Sequence, residues 1–194
     1  MDHADTNGYT PLLHTARLGH LEALRFLLQN GASTANKSQD GSTALHFSSR
    51  IGHLSAVKEL MDRSDCGCVD NEGYTALHRA AAGGFFEVVA YLYPRYEDIQ
   101  KISCITSNRD TVLHLAVVSG SFTICRFLLD NNDATALVNM TNKQHKTPLH
   151  FAAEYGYLDI MRSILDIVDN GSKMRDSTGF EILDPSDDSA ESSG

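Results

Sequence analysis

Thr147-Pro148-Leu149-His150-Phe151-Ala152-Ala153 is the stretch that decides the fold, because the chain writes it five times. The other versions are Thr10-Pro11-Leu12-Leu13-His14-Thr15-Ala16, Thr43-Ala44-Leu45-His46-Phe47-Ser48-Ser49, Thr75-Ala76-Leu77-His78-Arg79-Ala80-Ala81 and Thr111-Val112-Leu113-His114-Leu115-Ala116-Val117. Their threonines stand 33, 32, 36 and 36 residues apart. Thr before Pro or another good helix former reads as a helix N-cap. Its hydroxyl satisfies an orphan amide, and Pro at the first helical position gives up no hydrogen bond. Gly19, Gly52, Gly83-Gly84, Gly120 and Gly156 arrive within nine residues of each cap, so the helix that follows is short.

A second helix then carries an apolar stripe at i, i+3, i+4, i+7 spacing. In the first repeat it is Leu21, Leu24, Phe26, Leu27 and Leu28; in the fourth Phe122, Ile124, Phe127, Leu128 and Leu129; in the fifth Leu158, Ile160, Met161, Ile164 and Leu165. Turn pairs Asn7-Gly8, Asp40-Gly41 and Glu72-Gly73 precede the caps. No single helix pair of this kind buries both its faces, so neighbours must stack into one continuous core. Ten paired helices are expected.

The pattern resembles the ankyrin repeat, with its period of about 33 residues, its β-turn, its two helices and its Thr-Pro-Leu-His-x-Ala stretch. The resemblance covers nearly the whole chain and implies an all-α solenoid of stacked helix-turn-helix units with β-turn fingers. The array is expected over residues 1–183, as repeats at about 5–36, 37–68, 69–104, 105–140 and 141–172 and a partial sixth at 173–183. There Glu181 takes the Thr position and Asp184 the His position. An acidic tail at 184–194 holds too few apolar residues to fold and is expected to be disordered. Both ends of the array look trimmed, with no separate N-terminal cap.

Departures from the pattern carry their own expectations. Arg109 and His145 stand where the turn glycine belongs, so the fourth and fifth fingers are expected to be reshaped. Pro94 should end the third outer helix early, leaving a long connection from Arg95 to Cys104. Leu13 occupies the His position of the first repeat, with His14 beside it.

The 194 residues carry a formal net charge of −9. Asp184, Asp187, Asp188 and Glu191 supply four of the negatives, and an acidic array opposes nucleic-acid binding, which needs Lys and Arg to neutralise phosphates. No apolar run reaches the roughly 18 to 20 residues that span a bilayer. Scattered cysteines and an acidic, polar start favour a reducing compartment, the cytoplasm with the nucleus left open. A monomer is expected.

The nine histidines do not make a metal site. Equivalent positions in stacked repeats lie roughly 8 to 10 Å apart, whereas zinc ligands sit about 2 Å from the ion. In the ankyrin family the short-helix His bonds the turn backbone and the capping Thr, which implies buried structural roles for His46, His78, His114 and His150. Cys66-Gly67-Cys68 lacks the spacing of redox or zinc motifs, and Cys125 reads as a core filler. No catalytic constellation, phosphate loop or cofactor motif is present, so no enzyme and no cofactor are expected.

What remains is recognition of another protein. In the ankyrin family the binding positions flank the turn glycine and follow the double-Ala step. Here that implies Tyr9, Arg17 and Leu18; Asp40, Arg50 and Ile51; Asn71, Glu72, Tyr74 and Ala82; Asp110 and Val118; and Lys146, Glu154 and Tyr155. Phe47, Arg79 and Phe151 lie one step away and are expected to be half-exposed. Tyr74 and Arg79, rimmed by Asp40, Asn71 and Glu72, have the make-up of a hot spot and are expected outside the inter-repeat core. The rival reading is the cytosolic array of a larger membrane protein or enzyme whose effector region lies elsewhere.

Overall fold

A computed structural model describes residues 2–96, 106–131 and 134–176, the last seven by their backbone. Five helix pairs follow one another. They are α1 (Pro11–Leu18) with α2 (Leu21–Gln29), α3 (Ala44–Arg50) with α4 (Leu54–Met61), and α5 (Ala76–Ala82) with α6 (Phe86–Leu92). Next come α7 (Val112–Val118) with α8 (Phe122–Leu129), a short additional α9 (Ala134–Asn139), and finally α10 (Pro148–Tyr155) with α11 (Leu158–Asp176). The described residues thus hold eleven α-helices rather than ten, and no strand. The inner helices α1, α3, α5, α7 and α10 stack in one row, and the outer helices α2, α4, α6, α8 and α11 in a second. The molecule is a helical solenoid.

Each inner helix starts at the threonine that the repeat spacing marks. The amides of Thr43, Thr75, Thr111 and Thr147 donate to the Nδ1 of the His three residues on, at 3.1 to 3.2 Å. That leaves the proton on Nε2. In His46 it donates to the Tyr74 carbonyl at 2.9 Å, and in His114 to the Lys146 carbonyl at 3.1 Å, so these side chains rivet a cap to the next finger. Burial holds both below the usual histidine range, in the neutral form. His46, His78 and His114 are buried, but His150 is exposed: it is the last of the series, and no finger among the described residues covers it.

All five fingers close alike. Asp70 N donates to Tyr74 O and Gly73 N to Asp70 O, each at 3.0 Å, and residues 5–9 and 38–42 repeat the pattern. The fourth and fifth fingers are not reshaped. Arg109 (φ 64°) and His145 (φ 57°) take the left-handed position of the missing glycine and keep both bonds. An L residue there costs about 1 kcal/mol, opposed by side-chain locks: Thr106 Oγ1 accepts the Asp110 amide and Asn142 Oδ1 those of Gln144 and Lys146. One backbone bond joins each finger to the next, as from Asn71 N to Asp40 O.

The core runs unbroken through all repeats and includes Leu13, Phe47, Leu60, Leu92, Leu113, Cys125 and Ile164. The outer stripe is narrower than the sequence suggests. Phe26 is 64% exposed, because it sits two positions from both Leu24 and Leu28 and therefore on the far side of α2. Phe122 and Leu158 open their helices at the edge away from the fingers and are exposed, as is Leu165. α6 stops at Leu92, and Pro94 lies in a 3-10 turn, Tyr93–Tyr96, that takes up the first two residues of the expected long connection. The rest of that connection lies outside the described residues. α11 continues to Asp176, into the stretch read as a partial sixth repeat. The remainder of that repeat and the acidic tail also fall outside the described residues.

Candidate functional site

Fingers and inner helices supply one face of the solenoid, on which three groups of side chains form. The third repeat holds the first. Asp70, four residues before Tyr74, accepts the Glu72 and Tyr74 amides on Oδ1, each at 3.0 Å. Its Oδ2 takes the Arg79 guanidinium, with Nε at 2.7 Å, and the Asp70 side chain is wholly buried. Glu72 clasps Arg79 from the rim at 2.9 Å, and the guanidinium lies 4.1 Å from the Tyr74 ring centroid. Burial works against the Arg79 charge, but the bonds to Asp70 and Glu72 outweigh it and hold its pKa above the usual value. Tyr74 packs against the core and meets His78 edge-on at 6.2 Å, and its burial raises the phenol pKa.

The expectation that Tyr74 stands clear of the core is therefore corrected, whereas Arg79 is half-buried against Asp70, Glu72 and Tyr74 of its own repeat. The two side chains are adjacent, as the sequence spacing implies, and both brace the third finger. Removing them together would unseat a buried carboxylate.

The fourth and fifth repeats hold the second group, and it too is internally satisfied. Asp110 accepts from Asn142 Nδ2 at 2.9 Å, tying two fingers. Lys146 pairs with Glu154 at 2.7 Å while lying 5.3 Å from the Phe151 ring. Tyr155 stacks on Tyr157 at 5.7 Å. Asn71 behaves likewise in the second and third fingers, where its side-chain amide donates to Gln39 O at 2.9 Å.

The first two repeats differ. Tyr9, Arg17 and Asp40 line an open cleft of about 440 Å³ with Asp5, Asn7, His14 and Gln39. Arg17 lies over the Tyr9 ring and Arg50 over the Phe47 ring, both at 5.2 Å, and the two rings are 5.5 Å apart. Both arginines are exposed, and neither has a carboxylate partner among the described residues. Phe47 is buried rather than half-exposed, serving as the floor under Arg50. Asp5 accepts the Asn7 and Tyr9 amides and pairs with His14 at 3.0 Å; the Tyr9 amide is the main reason its pKa lies below the usual value.

Sequence reasoning missed Asp70, Asp5 and His14. A signal was available: Asp5-Thr6-Asn7-Gly8-Tyr9 and Asp70-Asn71-Glu72-Gly73-Tyr74 share an Asp three residues before the turn glycine, where its carboxylate can accept turn amides.

Burial raises the thiol pKa values of Cys66 and Cys68, with Asp65 adding to both, and pushes Cys125 up to about 12. These thiols are poor nucleophiles at neutral pH. Among the described residues no three His, Cys, Asp or Glu side chains are arranged to hold a metal ion, and no helix is long and apolar enough to cross a membrane.

Compared with known protein families, the chain matches the model described as ankyrin repeats (3 copies) over residues 33–103 and 97–176, and the single ankyrin repeat over residues 7–38. A comparison with curated proteins returned no match.

Proposed function

We propose, on the premise that the chain belongs to the ankyrin-repeat family, that it binds a partner protein through the face built by its fingers and inner helices and catalyses no reaction itself. Ankyrin repeats are protein–protein interaction modules, and the finer assignment to this face rests on one observation. Arg17 and Arg50 are exposed on aromatic rings without a carboxylate partner among the described residues, beside an open cleft. Arg and aromatic side chains in a polar rim are the make-up of interface hot spots. The free thiols of Cys66, Cys68 and Cys125 suit a reducing compartment such as the cytoplasm.

The test is site-specific crosslinking in cells, with a photoreactive side chain placed at Tyr9 on this face or at Phe26 on the outer side of α2. A partner protein captured from position 9 and not from position 26 is expected. Capture from position 26 alone would overturn the reading.

A further inference from the structure

We propose that the inner face reads an extended acidic segment: two carboxylates three residues apart seat on Arg17 and Arg50, and apolar residues at the same spacing follow over Ala82 and Val118. This deepens the reading of that face as the binding surface and rests on it. Arg17, Arg50, Ala82, Val118 and Glu154 each stand seven residues past a capping threonine, so they form one line across the stacked inner helices, and all five are exposed. Packed helices lie about 8 to 10 Å apart. One turn of polyproline II chain takes three residues and rises about 9 Å, so every third side chain returns to the same face. A segment in this extended conformation laid across the helices therefore presents every third side chain to successive members of the line.

The chemistry of the line changes along it. Its first two members are cations, the next two are neutral and small or apolar, and Glu154 is already paired with Lys146. Arg25, Arg79, Arg126 and Arg162 all have carboxylate partners within the chain, whereas Arg17 and Arg50 have aromatic platforms instead. A guanidinium resting on a ring is pre-organised to take a carboxylate on its donor fork. The neighbouring acids are occupied: Asp5 by His14 and two amides, Asp40 by Ser38 and the Ser42 amide. A basic residue in the last turn of a helix is favoured by the helix dipole alone. That explains one arginine per helix, but neither the paired aromatic platforms nor the switch to Ala and Val further along. A nucleic acid fits less well, because two cations in a chain of net charge −9 cannot neutralise a run of phosphates.

The experiment selects a displayed library of random dodecapeptides on the full chain. The expected winners carry two Asp or Glu residues three apart and an apolar residue three further on. A synthetic winner should lose tenfold or more in affinity when both acids become amides, and as much on the Arg17→Ala/Arg50→Ala variant. It should lose threefold or more on Val118→Glu. Arg126→Ala, a cation on the outer helix α8, should change nothing, and melting curves establish that every variant is folded. No spaced acidic pair among the winners, equal binding of the amide peptide, or equal loss with Arg126→Ala each overturns the proposal. So does a single-stranded 20-mer oligonucleotide that competes equally well with the same arginine dependence. If crosslinking from position 9 still delivers a partner, only this inference falls; if position 26 alone delivers one, the reading beneath it falls as well.

Discussion

The first and third repeats open with nearly the same words, Asp5-Thr6-Asn7-Gly8-Tyr9-Thr10 and Asp70-Asn71-Glu72-Gly73-Tyr74-Thr75, and put them to different use. In both, the Asp caps its own finger and reaches a basic side chain nine residues on. In the third repeat that partner is Arg79, the Asp70 side chain is fully buried, and His78 occupies the riveting position. In the first, the His has moved one place along. Leu13 fills the riveting position, His14 pairs with Asp5, and that pair remains 40% exposed on both sides. Arg17 is left over the Tyr9 ring with no acid among the described residues to hold it. One shifted residue turns a locked unit into an open cleft.

The largest effect that could break this comparison is loss of the buried pair. Arg79→Ala should cost about 2 to 3 kcal/mol by urea denaturation, less than the full cost of orphaning a buried charge because Arg79 keeps some water. Asp5→Ala should leave the midpoint almost unmoved. Similar costs for the two would mean that the third repeat is no more locked than the first.

A smaller effect should appear with pH. Burial depresses His46 and His114 in the folded chain, whereas unfolded histidine titrates near about 6.5. Below that value the unfolded state binds the proton first. The stability these rivets supply is therefore present above about pH 6.5 and is lost as pH falls through the lower folded values. Asp5, held low by the Tyr9 amide, titrates beneath this window. The urea midpoint should fall between pH 7.5 and pH 5.5. The double variant His46→Leu/His114→Leu, which copies the first repeat, should start lower and respond less to pH. A wild-type midpoint flat over that range would remove the rivets from the account.

The smallest effect is a gain. Leu13→His with His14→Arg writes the third repeat's residues into the first, and should add about 1 kcal/mol through the restored hydrogen bonds. Amide exchange gives the local view: it should be faster in α1 and α2 than in α5 to α8, and slowed before Thr43 by the double change. No slowing would show that the riveting position does not set the stability of that repeat.

Most of the fold was legible because its signals are local. A threonine, a helix former and a glycine within nine residues state where a short helix starts and stops, and the five inner helices begin where that spelling places them. The Arg109 and His145 fingers were misread because local propensity was weighed without the Thr106 and Asn142 side chains that hold those turns. Phe26 was misread because a run of apolar residues was given a wider face than α1 and α4, the two helices packed against α2, can cover. α9 follows no repeat landmark and had no local signal strong enough to announce it.

The sequence by itself determined the repeating unit, its caps, its stacking and hence the face that fingers and inner helices share, because each follows from chemistry within a few residues of chain. Only the tertiary structure decided which charges on that face are free. Asp110 and Asn142 are 32 residues apart and bonded, whereas Arg17 and Arg50, equally conspicuous in the sequence, meet no acid among the described residues. Asp5–His14 and Asp70–Arg79 share a spacing of nine, yet one pair is open to water and the other is not. Whether a charge is committed depends on the distance to groups brought in by other repeats and on the water excluded around them, and neither quantity is written along one stretch of chain.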